Sequence, residues 1–405
     1  MNKIEHVVVV GGGLGGANTA FALRDRGYEG GLTIVAEEDI YPYERPPVSK
    51  AYLRGEDPIE KAYVRPPEDY QANRIDLLRG TRALDLDVAA STVNSTDGRI
   101  DYDALVLATG AAPRRLSVPG ADLAGIHYLR DIGDADALRA AAAEAESIVV
   151  VGGGWIGAEV AASLTQLGRT VTFLTSWPRP LEHVLGARIA DVYRTAHVEH
   201  GVRFLSGRVA AVEGDDRVSG VVTADGRRVP ADLVVVGVGA IPRSEIGARA
   251  ALRVEHGAIA VDEYLRTSAP NIYAIGDVAR AWNPRYGRPL HLEHWDNAIE
   301  QGKTAAANIV GANISYDRVP YLYSDQYDVG MEYRGYAPEW DEVVVRGNLD
   351  AREFHAFWLL RGHVAAAMNV NLWDDGEELQ ALVESNARVD VRRLADAEVP
   401  LAQAA

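Results

Sequence analysis

The sequence of 405 residues contains no cysteine. That zero removes disulfides, thiolate metal sites, protein-borne iron–sulfur clusters and cysteine nucleophiles together. Positive charge is also scarce: 41 lysines and arginines stand against 58 aspartates and glutamates, for a formal net charge of -17. This is the wrong sign for neutralising a nucleic-acid backbone or an anionic bilayer surface, so neither is expected as a partner. No apolar run approaches the roughly 20 residues that span a bilayer. The opening Met1-Asn2-Lys3-Ile4-Glu5-His6 lacks an apolar core and a small-residue cleavage site, which makes a cytoplasmic protein the expectation. There is no Gly-x-Ser-x-Gly nucleophile elbow. His197 with His200, and His291 with His294, have helical spacing but no third ligand, so no metal is expected. Gly302-Lys303-Thr304 imitates the end of a P-loop, yet Asn297 stands where its first glycine belongs.

What is present is a duplication. Val7-Val8-Val9-Val10 runs into Gly11-Gly12-Gly13-Leu14-Gly15-Gly16 and then a helical pattern, Ala17 to Arg26. Ile148-Val149-Val150-Val151 runs into Gly152-Gly153-Gly154-Trp155-Ile156-Gly157 and then Ala158 to Leu167. Each copy reaches a second apolar strand, Leu32 to Val35 and Val171 to Leu174, as a doubly wound α/β unit does. In Gly-x-Gly-x-x-Gly the first glycine makes a tight turn and the second lets backbone approach a pyrophosphate. The third lets helix and strand pack closely, and the phosphate rests on the helix N-terminus. Gly11, Gly13 and Gly16 meet this requirement in the first copy, with Gly15 beside them, and Gly152, Gly154 and Gly157 meet it in the second. A carboxylate about 20 residues on takes the ribose hydroxyls; Glu37 stands there, with Glu38 a near rival. The second copy carries Thr175 in its place, and Arg179 follows, so NADH and NADPH both stay open and Thr175→Glu is expected to favour NADH.

Two such units imply two dinucleotides, and the second partner for a nicotinamide is FAD. The strands Ala104 to Ala108 and Leu233 to Val236, each followed by a glycine turn, mark the crossings between domains. Gly237-Val238-Gly239-Ala240-Ile241-Pro242 is one such exit. The expected division is an FAD-binding domain from residues 1–111 and 241–315, an NAD(P)-binding domain from 112–240, and a small α+β domain from 316–405.

With Pro42-Tyr43-Glu44-Arg45-Pro46-Pro47-Val48-Ser49-Lys50, Ala108-Thr109-Gly110, Ala274-Ile275-Gly276-Asp277-Val278, His294-Trp295-Asp296-Asn297-Ala298 and Val319-Pro320 with Ser324-Asp325-Gln326-Tyr327, the whole chain resembles the FAD-dependent ferredoxin reductases that serve cytochrome P450 and ring-hydroxylating oxygenases. The resemblance implies a glutathione-reductase-like fold and electron delivery to a [2Fe-2S] ferredoxin or a rubredoxin. It places Lys50 beside the flavin, paired with Glu159, with Arg45-Pro46-Pro47 as a stiff extended segment holding it. It implies that Asp277 binds the ribityl chain, that Trp295 packs at the pyrimidine end of the ring, and that Arg45, Ala83 and Arg130 contact FAD. Gly239 would touch the nicotinamide nucleotide, and Trp155 either covers its site or simply packs. Direct reduction of a quinone or other small molecule, and a slow NADH-responsive redox sensor, are the competing functions. Without cysteine, the redox dithiol of disulfide reductases is absent.

Overall fold

The computed structural model describes residues 4–404. The first duplicated unit is β1 (His6–Val10), α1 (Leu14–Asp25) and β2 (Gly31–Ala36); the second is β3 (Ile148–Val151), α2 (Trp155–Gln166) and β4 (Val171–Thr175). Further along lie α3 (Ala187–Glu199), α4 (Trp295–Ile309) and the hairpin strands β5 (Tyr321–Gln326) and β6 (Val329–Gly335). By internal contacts the chain divides into two compact units. One holds the residues up to Arg45, Pro58–Ala112 and Ala240–Arg318; the other holds Pro46–Asp57, Pro113–Gly239 and the chain from Val319. No helix among the described residues is long and apolar enough to cross a membrane.

The first unit is built on a parallel sheet in the order Ile272–Ala274, Ala104–Leu107, β1, β2, Asp76–Arg79. Val7 to Val10 are at most 3% exposed, as a strand covered on both faces requires. Strand order reverses on either side of β1, so the crevice at its C-terminal end is the switch point where such sheets take ligands. α1 and α4 cross closely: a Cβ on Gly302 would lie 2.8 Å from the Gly15 carbonyl oxygen. The glycine of the false P-loop therefore serves a helix crossing.

The second unit repeats the plan with Arg203–Ser206, β4, β3, Leu233–Val236 and Ile126–Tyr128, all parallel. To this is joined an antiparallel sheet in the order β5, β6, His363–Val370, Glu353–Leu360, Glu342–Asn348. Leu185, Ile189 and Tyr193 share one core with Met331, Phe354 and Trp358. Each large side chain so buried contributes roughly 1.5–3 kcal/mol, and Trp358 Nε1 also donates to the Leu185 carbonyl at 3.2 Å. That shared core explains why the chain from Val319 belongs to the same compact unit as Pro113–Gly239. The other face of the sheet is covered by Leu379, Leu382 and Leu394.

One local expectation is corrected. Pro46–Ser49 is a 3-10 turn rather than an extended segment. A proline at the first helical position brings its φ preset, and Lys50 N closes the turn on the Pro47 carbonyl at 3.0 Å. Tyr52 and Leu53, just beyond, are buried. They pack against Ile132–Glu144 and α2, which draws this segment into the second unit.

Candidate active site

The two glycine turns are steric copies. Gly11 has φ +123° and a Cβ there would lie 2.1 Å from the Ala108 oxygen; Gly152 has φ +113° and would meet the Gly237 oxygen at 2.2 Å. Side chains at Gly16 and Gly157 would lie 2.0 Å from the oxygens of Gly11 and Gly152. These four positions are closed by the protein's own backbone. At Gly13 and Gly154 nothing lies within 4 Å. Both are helix N-caps without a side-chain cap bond, whereas the ordinary helix Ile132–Glu144 carries a capping box from Asp131 and Asp134. Open space and uncapped N–H groups at the positive end of a helix dipole fit a pyrophosphate, and the two sites therefore suit two dinucleotides.

In the first unit, Glu37 and Glu38 follow β2. Glu37 is exposed and pairs with Arg243 at 3.0 Å and Arg82 at 3.5 Å. Glu38 accepts from the Tyr43 hydroxyl at 2.6 Å and from Arg45, whose guanidinium lies 4.6 Å from the Tyr43 ring centroid. Asp277 lies in a 3-10 turn, Gly276–Val278, whose first N–H donates to the buried Gln301 side chain on α4 at 2.8 Å. Its carbonyl accepts from His291 Nε2 at 2.8 Å. Trp295 opens α4 after the uncapped N-cap His294. The buried His294 Nδ1 has no partner among the described residues, and burial pushes this imidazole down to about 4. Burial raises the Glu44 carboxyl, against the hydrogen bond from Trp295. An uncapped helix start and an orphaned buried nitrogen fit a polar ring edge such as that of a flavin. Ala83 begins the strand Ala83–Asp87 in this same unit.

In the second unit, Lys50 Nζ lies 3.2 Å from Glu159 Oε1, with both side chains largely buried. Arg130 immediately precedes the capping box of Ile132–Glu144, its N–H donating to Asp134 at 2.9 Å. Gly239 takes φ +102°, and its carbonyl accepts from Arg114 N at 2.9 Å. Trp155 packs against the core containing Tyr193, ring centroids 6.3 Å apart. Thr175 is 1% exposed and its hydroxyl donates to the Trp177 carbonyl. Thr175 lies against Gly153 as Ala36 lies against Gly12, so a glutamate at 175 would start from a buried position and the counterpart of Glu37 is the exposed Ser176. Arg179 is engaged by Asp191 at 2.6 Å and Glu182 at 3.3 Å.

Ser49, Ser324 and Gln301, to which the sequence motifs assign no role, are all buried polar side chains; for Ser324 alone, its alternation with Gln326 along β5 is a local signal of burial, not of its partner.

Two parallel sheets, each with an open, uncapped glycine turn, and a buried lysine–carboxylate pair beside the second define an oxidoreductase scaffold for two dinucleotides. The chain belongs to the pyridine nucleotide-disulphide oxidoreductase family, whose model matches residues 5–302, and a reductase C-terminal model matches residues 321–405. It is 40% identical over 400 residues to the 5,5'-dehydrodivanillate O-demethylase ferredoxin reductase subunit of Sphingobium sp., covering 97% of each chain. It is 37% identical over 409 residues to putidaredoxin reductase of Pseudomonas putida, covering 99% of this chain and 97% of that one. The crystal structure of the ferredoxin reductase for the CYP199A2 system from Rhodopseudomonas palustris superimposes with a TM-score of 0.95 at 34% identity, over 99% of this chain and 100% of that one.

Proposed function

We propose that this protein is a cytoplasmic, FAD-containing ferredoxin reductase that accepts a hydride from NADH or NADPH and delivers electrons singly to a [2Fe-2S] ferredoxin, which feeds a cytochrome P450 or ring-hydroxylating oxygenase. Whole-length likeness to reductases of this kind supports the partner. The observation that carries the chemistry is the buried Lys50–Glu159 pair beside a second open glycine turn, in a chain with no cysteine. When bound, FAD supplies the exchange between paired and single electrons.

The chain's own work is binding and field. Gly11, Gly13, Gly15 and Gly16 would seat the FAD pyrophosphate, with Glu37 at the ribose, Asp277 at the ribityl chain, Trp295 at the ring, and Arg45, Ala83 and Arg130 as further contacts. Gly152, Gly154 and Gly157 would seat the coenzyme, with Thr175 lining the sugar end as backbone and Gly239 at the nicotinamide nucleotide. Lys50, anchored by Glu159, would hold positive charge toward arriving electron density. The domains would be an FAD-binding domain from residues 1–111 with 241–315, an NAD(P)-binding domain from 112–240 and a C-terminal α+β domain from 316–405.

Anaerobic mixing with NADH or NADPH in a stopped-flow instrument tests this. The yellow protein should bleach within the instrument's range and recover its colour when an oxidised [2Fe-2S] ferredoxin is added. Rapid bleaching followed by turnover with a quinone alone would overturn the ferredoxin assignment, and colourless protein that cannot be reconstituted would overturn the flavin.

A further inference from the structure

Glu159 is 4% exposed and receives three donors: Ser49 Oγ at 2.6 Å, Ser324 Oγ at 2.7 Å and Lys50 Nζ at 3.2 Å. Ser324 is 1% exposed and sits on β5; its same-face neighbour Gln326 donates Nε2–H to the Ser324 oxygen at 3.3 Å. The Gln326 carbonyl oxygen faces His197 Nε2 on α3 at 3.1 Å, and His197 Nδ1 faces the Tyr327 hydroxyl at 3.1 Å.

A carboxylate paired with an ammonium only accepts hydrogen bonds, which sets the direction of the whole series. Ser324 must donate to Glu159, so its lone pair takes the Gln326 amide proton. The Gln326 oxygen then needs a proton from His197 Nε2, and Tyr327 donates to the remaining ring nitrogen. Burial pushes His197 down to about 4, which keeps it neutral and able to hold this one tautomer at neutral pH. Every member has one consistent role, and aligned hydrogen bonds of this kind reinforce one another. Lys50 has a second place to go: Asp325 Oδ2 is 4.0 Å away and half exposed, and the Tyr323 ring centroid is 4.7 Å away.

We infer that Ser324, held by Gln326 and His197, is a positioning residue that fixes the Glu159 carboxylate and through it keeps the Lys50 ammonium on Glu159 rather than on Asp325. This gives the antiparallel sheet a part in the reaction, and it rests on the proposed reading of Lys50 as the cation serving electron transfer. Ser324 itself touches no reacting atom.

The sequence has only four lysines, Lys3, Lys50, Lys61 and Lys303, and Lys61 and Lys303 are exposed. In the full-length protein labelled with 13C-lysine, the Lys50 Cε signal should stand apart from those two and move toward them in Ser324→Ala, while Ser324→Thr restores it. In the flavin-loaded protein, Ser324→Ala should slow reduction at saturating NADH by about fivefold and leave the half-saturating NADH concentration unchanged within about twofold. Gln326→Met, which leaves Glu159 untouched, should shift both readouts the same way by a smaller amount, and it carries the test if Ser324→Ala fails to fold. An unmoved Lys50 signal and an unchanged reduction rate would overturn the positioning role while leaving the reductase reading standing. A shifted Lys50 signal in a protein that neither nucleotide reduces would support the positioning and overturn the reductase reading.

Discussion

The two glycine turns are alike to within 10° of φ at their first glycine, yet they diverge one strand later. β2 is followed by Glu37, exposed and paired with arginines, whereas at the matching place after β4 stands Ser176, exposed and uncharged. The contrast separates two demands. A turn that brings backbone to a phosphate admits few solutions, because its glycines lie against carbonyl oxygens about 2 Å from any added Cβ. The far end of the nucleotide is met by side chains, which differ freely between copies.

The sharpest way to break this comparison is to fill the closed glycines. Gly16→Val and Gly157→Val should each cost more than about 4 kcal/mol, because the obstacle is backbone that cannot move aside. Calorimetry would show failure to fold or a large drop in Tm for both; tolerance of either would mean that its turn is not the rigid copy described.

A second test sets one buried histidine from each unit side by side. His197 and His294 are pushed from 6.5 to about 4 by burial. With a depressed folded-state pKa, each imidazole stays neutral in the fold while the unfolded chain takes up its proton below about 6.5. Stability should therefore be full above that pH, fall as pH drops from about 6.5 to 4, and level off below. Each group accounts for on the order of 3 kcal/mol across the window. Urea midpoints measured against pH should show a shallower acid limb for His197→Gln; an unchanged limb would remove His197 as its source.

The smallest stability effect belongs to the open glycines. Gly13→Ala and Gly154→Ala have extended backbone that alanine accepts, so unfolding free energy should change by less than about 1 kcal/mol. Affinity should nonetheless fall at least tenfold, for FAD in the first case and for nicotinamide nucleotide in the second, as followed by fluorescence titration. Equal losses of both ligands in one variant would show that the two turns are not assigned to separate nucleotides.

Legibility followed the range of the forces involved. The strand, turn and helix of each copy were readable because valine runs and glycine spacing act within a dozen residues. The 3-10 turn at Pro46–Ser49 was misread since prolines suit both an extended chain and a first helical turn, and only the closing bond to Lys50 decides. Ser49 and Ser324 meet Glu159 across separations of 110 and 165 residues, which no local pattern encodes.

The amino-acid sequence by itself determined two dinucleotide turns, the absence of any sulfur redox couple and the candidate lysine. Tertiary structure alone decided that Thr175 turns inward, that Arg179 is held by two carboxylates, and that the antiparallel sheet buries its face against α3 and reaches Glu159 through Ser324. Steric rules act between neighbours along the chain, whereas burial and the pairing of buried polar groups exist only once distant segments have packed.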